Sequence, residues 1–180
     1  IKNYKNQPFY LAAQMGFAQT QYQLLNKKYK NNEDWKPITF PDTTGAYEFR
    51  QLSELFENIT NVKNISYSFK TESLYETGII YKEKLLNYDS AKKYFNRLMS
   101  SFPNSNYSIL AVNQLGEIAV IQNKLGEAKK YFNNVIKKSR NSGSIKNTAL
   151  YKLAEINFWQ DKNDRALNLL AKVSSSIKDN

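Results

Sequence analysis

The 180-residue chain contains no cysteine and no histidine. Without Cys there is no disulfide framework, no thiolate nucleophile and no Cys-type zinc or iron–sulfur site. Without His the usual general base and the commonest transition-metal ligand are missing too. Neither a cofactor, a metal nor catalysis is therefore expected. Arginine is scarce as well: of the 26 basic residues 22 are Lys and 4 are Arg, set against 16 acidic residues for a net charge of +10. A phosphate-binding surface draws on Arg for bidentate contacts, so no nucleic-acid partner is expected. The Lys surplus, together with 22 Asn, reads as the drift of an AT-rich genome. No window reaches the ~18 consecutive apolar residues of a membrane span, and no charged segment leads into an apolar one as in a signal peptide. Ile1 in place of Met is what a processed chain would show; an upstream lipid anchor would bring such a chain close to a membrane.

What the chain has in abundance is helical periodicity. Between Gln7 and Lys30 the residues Leu11, Met15, Ala18, Tyr22, Leu25 and Tyr29 alternate steps of four and three, with Pro8 suited to a first helical turn. Tyr10, Phe17 and Leu24 form a second row, which predicts a helix touching two neighbours. Residues 31–45 carry Trp35, Pro37, Phe40 and Pro41 without any period and read as an ordered loop. Helical spacing resumes at Phe49, Leu52, Phe56 and Ile59, then lapses over residues 60–70.

From about Thr71 an internal repeat takes over. Gly78, Gly116 and Ala154 stand 38 residues apart, each preceded four positions earlier by a large aliphatic residue, Leu74, Val112 or Leu150. Ala91, Ala128 and Ala166 follow at spacings of 37 and 38, each with Phe95, Phe132 or Leu170 four residues on and Leu98, Val135 or Val173 seven residues on. Such columns describe helical hairpins: the small residue permits close approach of the second helix, whose Ala is expected to meet it, and the large residues fill the seam. Asn87 and Asp89, Gly126 and Glu127, and Asn163 and Asp164 predict turns near residues 86–89, 123–126 and 161–164. The first copy carries one extra residue between Gly78 and Ala91.

These columns, with Leu115-Gly116, Tyr81, Ala91, Phe95 and Pro103 in place, resemble the tetratricopeptide repeat family over residues 71–178. The resemblance implies an all-α, right-handed solenoid of three hairpins, at about 71–103, 105–141 and 145–178, behind an irregular helical cap spanning residues 1–70. The 38-residue period is similar to that of bacterial cell-envelope members of the family, implying a periplasmic location, with the cytoplasm as the alternative.

In that family the first helix of each hairpin lines a concave groove. Mapping outward positions onto it yields Tyr75, Ile79, Lys82 and Glu83, then Asn113, Glu117, Val120 and Ile121, then Tyr151, Glu155, Phe158 and Trp159. This mixture of aromatics, aliphatics and three carboxylates suits a partner's peptide or helix. Lys92-Lys93, Lys129-Lys130 and Lys137-Lys138 fall on the second helices and are expected on a solvated back. Glu117 and Glu155, one repeat apart, leave a remote reading as a carboxylate pair acting on glycans. Asp161, Asn163 and Asp164 lack the Gly and the distal Glu of a calcium loop and are expected to form a turn with a helix cap. The expectation is thus a non-catalytic protein–protein interaction scaffold; the alternative places the interface on the N-terminal helix and the Trp35–Phe40 loop.

Overall fold

A computed structural model of the chain describes residues 8–30, 44–139 and 143–178. Among these the chain is all-α: α1 (Pro8–Lys30), α2 (Thr44–Thr60), α3 (Tyr67–Ile79), which continues into a π-helical turn (Ile80–Lys84), α4 (Tyr88–Ser101), α5 (Asn106–Ile121), α6 (Leu125–Lys138), α7 (Gly143–Phe158) and α8 (Asn163–Lys178). Trp35, Phe40 and the rest of the expected loop up to residue 43 lie outside the described residues. The helices gather into two compact units that divide between Pro103 and Asn104. The first repeat hairpin, α3–α4, therefore packs with α1 and α2, while the second and third, α5–α6 and α7–α8, form a unit of their own.

In the first unit the stripe Leu11, Met15, Ala18 meets Phe49, Leu52, Phe56 and Ile59, with Ile65 and Ile80 closing the core and Tyr22, Leu25 and Tyr29 packed at its margin. The second row of α1 does not pack as expected, since Phe17 and Leu24 are each more than half exposed. α1 lies at the edge of its unit, where a single stripe is enough to bury it. The unreadable stretch before the repeat holds a helix start: the Ser66 hydroxyl accepts from Phe69 N at 3.4 Å and caps α3, while Asn64 takes a left-handed φ of 60°.

Packing of the hairpins follows the repeat columns with one change of partner. The residue that meets each glycine is the Phe of the second helix rather than its Ala. A Cβ placed on Gly116 would lie 2.7 Å from Phe132 Cε1, and one on Gly78 would overlap the Phe95 ring. In the third hairpin the same columns hold Ala154 and Leu170, a larger residue in the first and a smaller one in the second, so the summed volume is kept.

Each turn contains one left-handed residue, at Leu86, Asn123 and Asp161, with φ of 48°, 56° and 57°. Gly126, expected in the second turn, instead sits in the first turn of α6. Asn123 supplies the left-handed conformation there, which Asn adopts at little cost. The extra residue of the first copy is absorbed inside the helix: Leu85 N donates to Ile80 O at 3.1 Å across five residues, the signature of a π-turn. Thirteen residues separate Gly78 from Ala91, but twelve separate Gly116 from Ala128, and the π-turn takes up the difference.

Candidate functional site

The residues proposed for the groove meet different fates. In the first unit Ile79 and Lys82 are buried, not outward-facing, and Tyr75 is half-buried with its ring 6.0 Å from that of Phe95. Glu83 is the exposed member of that set. In the second unit Asn113 is also buried, its Nδ2 donating to Glu117 Oε1 at 3.0 Å. Val120 is half-buried and Ile121 exposed. Mapping outward positions treats each helix as standing alone, whereas the π-turn and the adjoining helices cover part of the face so assigned.

The four candidates on the last hairpin behave differently. Tyr151, Glu155 and Phe158 line one side of an open groove of about 560 Å³, with Trp159 just past the end of α7. The opposite wall comes from α8, where Ala166 forms the floor and Leu167 and Leu170 the rim. Tyr151 is 48% exposed, Phe158 64%, Trp159 54%, Leu167 64% and Leu170 39%. Five large apolar side chains gathered on one face of two helices form a patch that a solvated protein surface rarely carries without a use.

Polar groups at this groove are few, and its one charged member is paired. Glu155 Oε2 accepts from Lys152 Nζ at 2.8 Å, an i, i+3 pair on α7 that keeps the carboxylate charge balanced at the rim. The two glutamates considered for glycan chemistry are thus engaged within their own helices, Glu117 by Asn113 and Glu155 by Lys152. No group of three or more Asp or Glu residues able to hold a metal occurs among the described residues. Asp161 lies in the exposed turn before α8, whereas Asn163 and Asp164, expected in that turn, fall in the first turn of the helix. What the groove can do is take up an apolar surface.

Of the lysines assigned to a solvated back, Lys93, Lys130, Lys137 and Lys138 are exposed. Lys129 is different: its Nζ donates to Asn157 Oδ1 at 3.1 Å and to Gln160 Oε1 at 2.7 Å, tying α6 to the end of α7. Partial burial lowers its pKa, as do the nearby cations Lys162 and Arg165. Leu167 and Leu170 were not singled out by sequence reasoning as surface residues. The signal was present: the second helices run Ala-Lys-Lys-Tyr-Phe from Ala91 and again from Ala128, but Ala-Leu-Asn-Leu-Leu from Ala166. No helix among the described residues is long and apolar enough to cross a membrane.

Helical hairpins repeating every 37 to 38 residues, with a small residue of each first helix under a large one of the second, define a helical-repeat protein. A family model described as a tetratricopeptide repeat-like domain matches residues 53–177, and the chain belongs to that family. The match begins within α2, ahead of the repeat columns. No curated protein matches the chain in sequence.

Proposed function

We propose that the protein is a non-catalytic interaction scaffold of a bacterial cell envelope, working on the periplasmic side, and that it holds a partner protein on the α7–α8 face. The observation that carries the reading is the cluster of Tyr151, Phe158, Trp159, Leu167 and Leu170, exposed around a groove without an unpaired charge. Large aromatic side chains around an apolar pocket are the usual anchors of protein recognition. Membership of a tetratricopeptide repeat-like family supports an interaction role, the 38-residue period supports the envelope, and the lack of His and Cys supports binding without chemistry. Replacing Tyr151 and Trp159 together by Ser should abolish co-purification of the partner. Both side chains are about half exposed, so stability should change by no more than ~1 kcal/mol. Co-purification that survives the double change overturns the site, and labelling of Lys137 or Lys138 in intact cells by a reagent that cannot cross the inner membrane tests the compartment.

A second reading has an observation of its own. Phe17 and Leu24 are exposed on α1, and Phe17, Leu25, Leu52 and Leu55 line a groove of about 310 Å³ between α1 and α2. If this is the interface, Phe17→Ser with Leu24→Ser removes partner capture while the Tyr151/Trp159 pair of changes leaves it intact.

A further inference from the structure

We infer that the segment bound on the α7–α8 face is an amphipathic α-helix of a partner protein, seated against this hairpin as α7 is seated against the hairpin before it. The inference rests on the scaffold reading and gives the bound segment a form.

The repeat itself supplies the first argument. Residues of the third hairpin have counterparts 38 positions earlier in the second: Tyr151 answers to Asn113, Ala166 to Ala128, Leu167 to Lys129 and Leu170 to Phe132. In the second hairpin this face carries a helix, for α7 packs along α6, and Asn113 and Phe132 are 5% and 0% exposed. In the third hairpin Tyr151, Leu167 and Leu170 stand open above a buried Ala166, and the polar Asn113 and Lys129 are replaced by Tyr and Leu. The backbone of the two hairpins follows the same columns, so the open face has the contour of a seat for a helix.

The second argument is a substitution at the contact. Lys129 spends its charge on Asn157 and Gln160 at the end of α7. Its counterpart Leu167 has no charge to spend and is 64% exposed. A helix that fits the open seat therefore carries an apolar residue where α7 carries Asn157, and the Lys–Asn tie is replaced by an apolar contact. The third argument concerns the backbone of the guest. The lining consists of side chains on two helices whose main-chain groups are already bonded internally, so an extended peptide would set its own N–H and C=O groups against an apolar wall. A helix brings its backbone already satisfied and presents an apolar stripe, which is the helix-in-groove mode of recognition.

The test uses two synthetic peptides with the sequence of residues 143–162, one unchanged and one carrying Asn157→Leu and Gln160→Leu, titrated into the full chain. With the wild-type protein the Leu-bearing peptide should bind at least about tenfold more tightly than the unchanged one. With Leu167→Lys the order should reverse, because the restored ammonium again finds its Asn and Gln. Amide shifts on binding should be confined to α7 and α8, and the circular dichroism of the variant should match the wild type, since Leu167 is a surface residue.

Failure of both peptides to bind, or a preference that ignores Leu167→Lys, overturns the proposal. A wild-type dimer in sedimentation that Leu167→Lys dissolves also overturns it, by identifying a second copy as the occupant. If co-purification of the partner still depends on Tyr151 and Trp159 while neither peptide binds, the helix is wrong and the scaffold reading stands. If co-purification is indifferent to those two residues, the scaffold site itself is wrong.

Discussion

Gly116→Ala sets two effects of opposite sign against each other, and the structure decides between them. In the interior of a helix, Ala is favoured over Gly by about 1 kcal/mol, so on propensity alone the change stabilises α5. The added Cβ would meet Phe132 Cε1 at 2.7 Å and Cζ at 2.9 Å, and Phe132 is fully buried, so the ring has no solvent into which to swing. Overpacking of this kind costs roughly 1–3 kcal/mol, and a ring enclosed on every side belongs near the upper end. The net expectation is a loss of about 1–2 kcal/mol.

Phe132→Leu alone opens space at the same seam and should cost about 1–2 kcal/mol. The two changes together reproduce the Ala154–Leu170 pair that the third hairpin already uses, and should bring stability back to within about 1 kcal/mol of wild type. Urea unfolding followed by circular dichroism, at constant m, gives the three values and hence a favourable coupling of about 2 kcal/mol. A stabilising Gly116→Ala, or single effects that add to within ~0.5 kcal/mol, would refute the ring-over-glycine seam.

Two further changes probe the first unit. Burial, with Glu72 and Glu83 nearby, raises the pKa of Glu76 from 4.5 to about 7. As pH rises through that interval the unfolded chain releases this proton before the folded one does, so stability falls; the loss between about pH 4.5 and pH 7 should be of order 1–2 kcal/mol after allowing for the solvent that still reaches the group. Glu76→Gln should flatten the profile and stabilise the unit at pH 8, and a wild-type profile already flat across this range would sink the assignment. Deletion of Glu83, an exposed residue of the π-turn, should be tolerated, because it gives the first copy the twelve-residue spacing of the others. Deletion of Val120, at the corresponding stretch of α5, should instead shift helix register and unfold its hairpin; equal melting temperatures for the two deletions would contradict the π-turn account.

The hairpins were legible in the sequence because packing imposes the same demand at the same place in each copy. Leu74, Val112 and Leu150 are all buried, as are Gly78, Gly116 and Ala154, and Ala91, Ala128 and Ala166. Details resting on near-equivalent solutions were not legible. Asn123 and Gly126 both suit a left-handed turn, and spacing alone does not choose between them. The extra residue before Ala91 was visible, yet an insertion in a helix and one in a turn leave the same spacing. Half of the groove was legible, since Tyr151 and Phe158 stand at outward positions of α7 and Trp159 just past its end. The α8 half was hidden because Leu170 occupies a column that is buried in the other two copies, and only the structure shows it uncovered. Ile79, Lys82 and Asn113 went the other way, being outward on an isolated helix and buried in the packed unit.

The central claim is that the α7–α8 face is where the protein meets its partner. A photoreactive phenylalanine derivative placed at Trp159 in cells, compared with the same residue placed at Lys138, tests it most directly. The account predicts a discrete covalent adduct from position 159 that disappears with Leu167→Lys, and none from the solvated position 138. Equal adducts from both positions, or none from 159 in a folded protein, would contradict it.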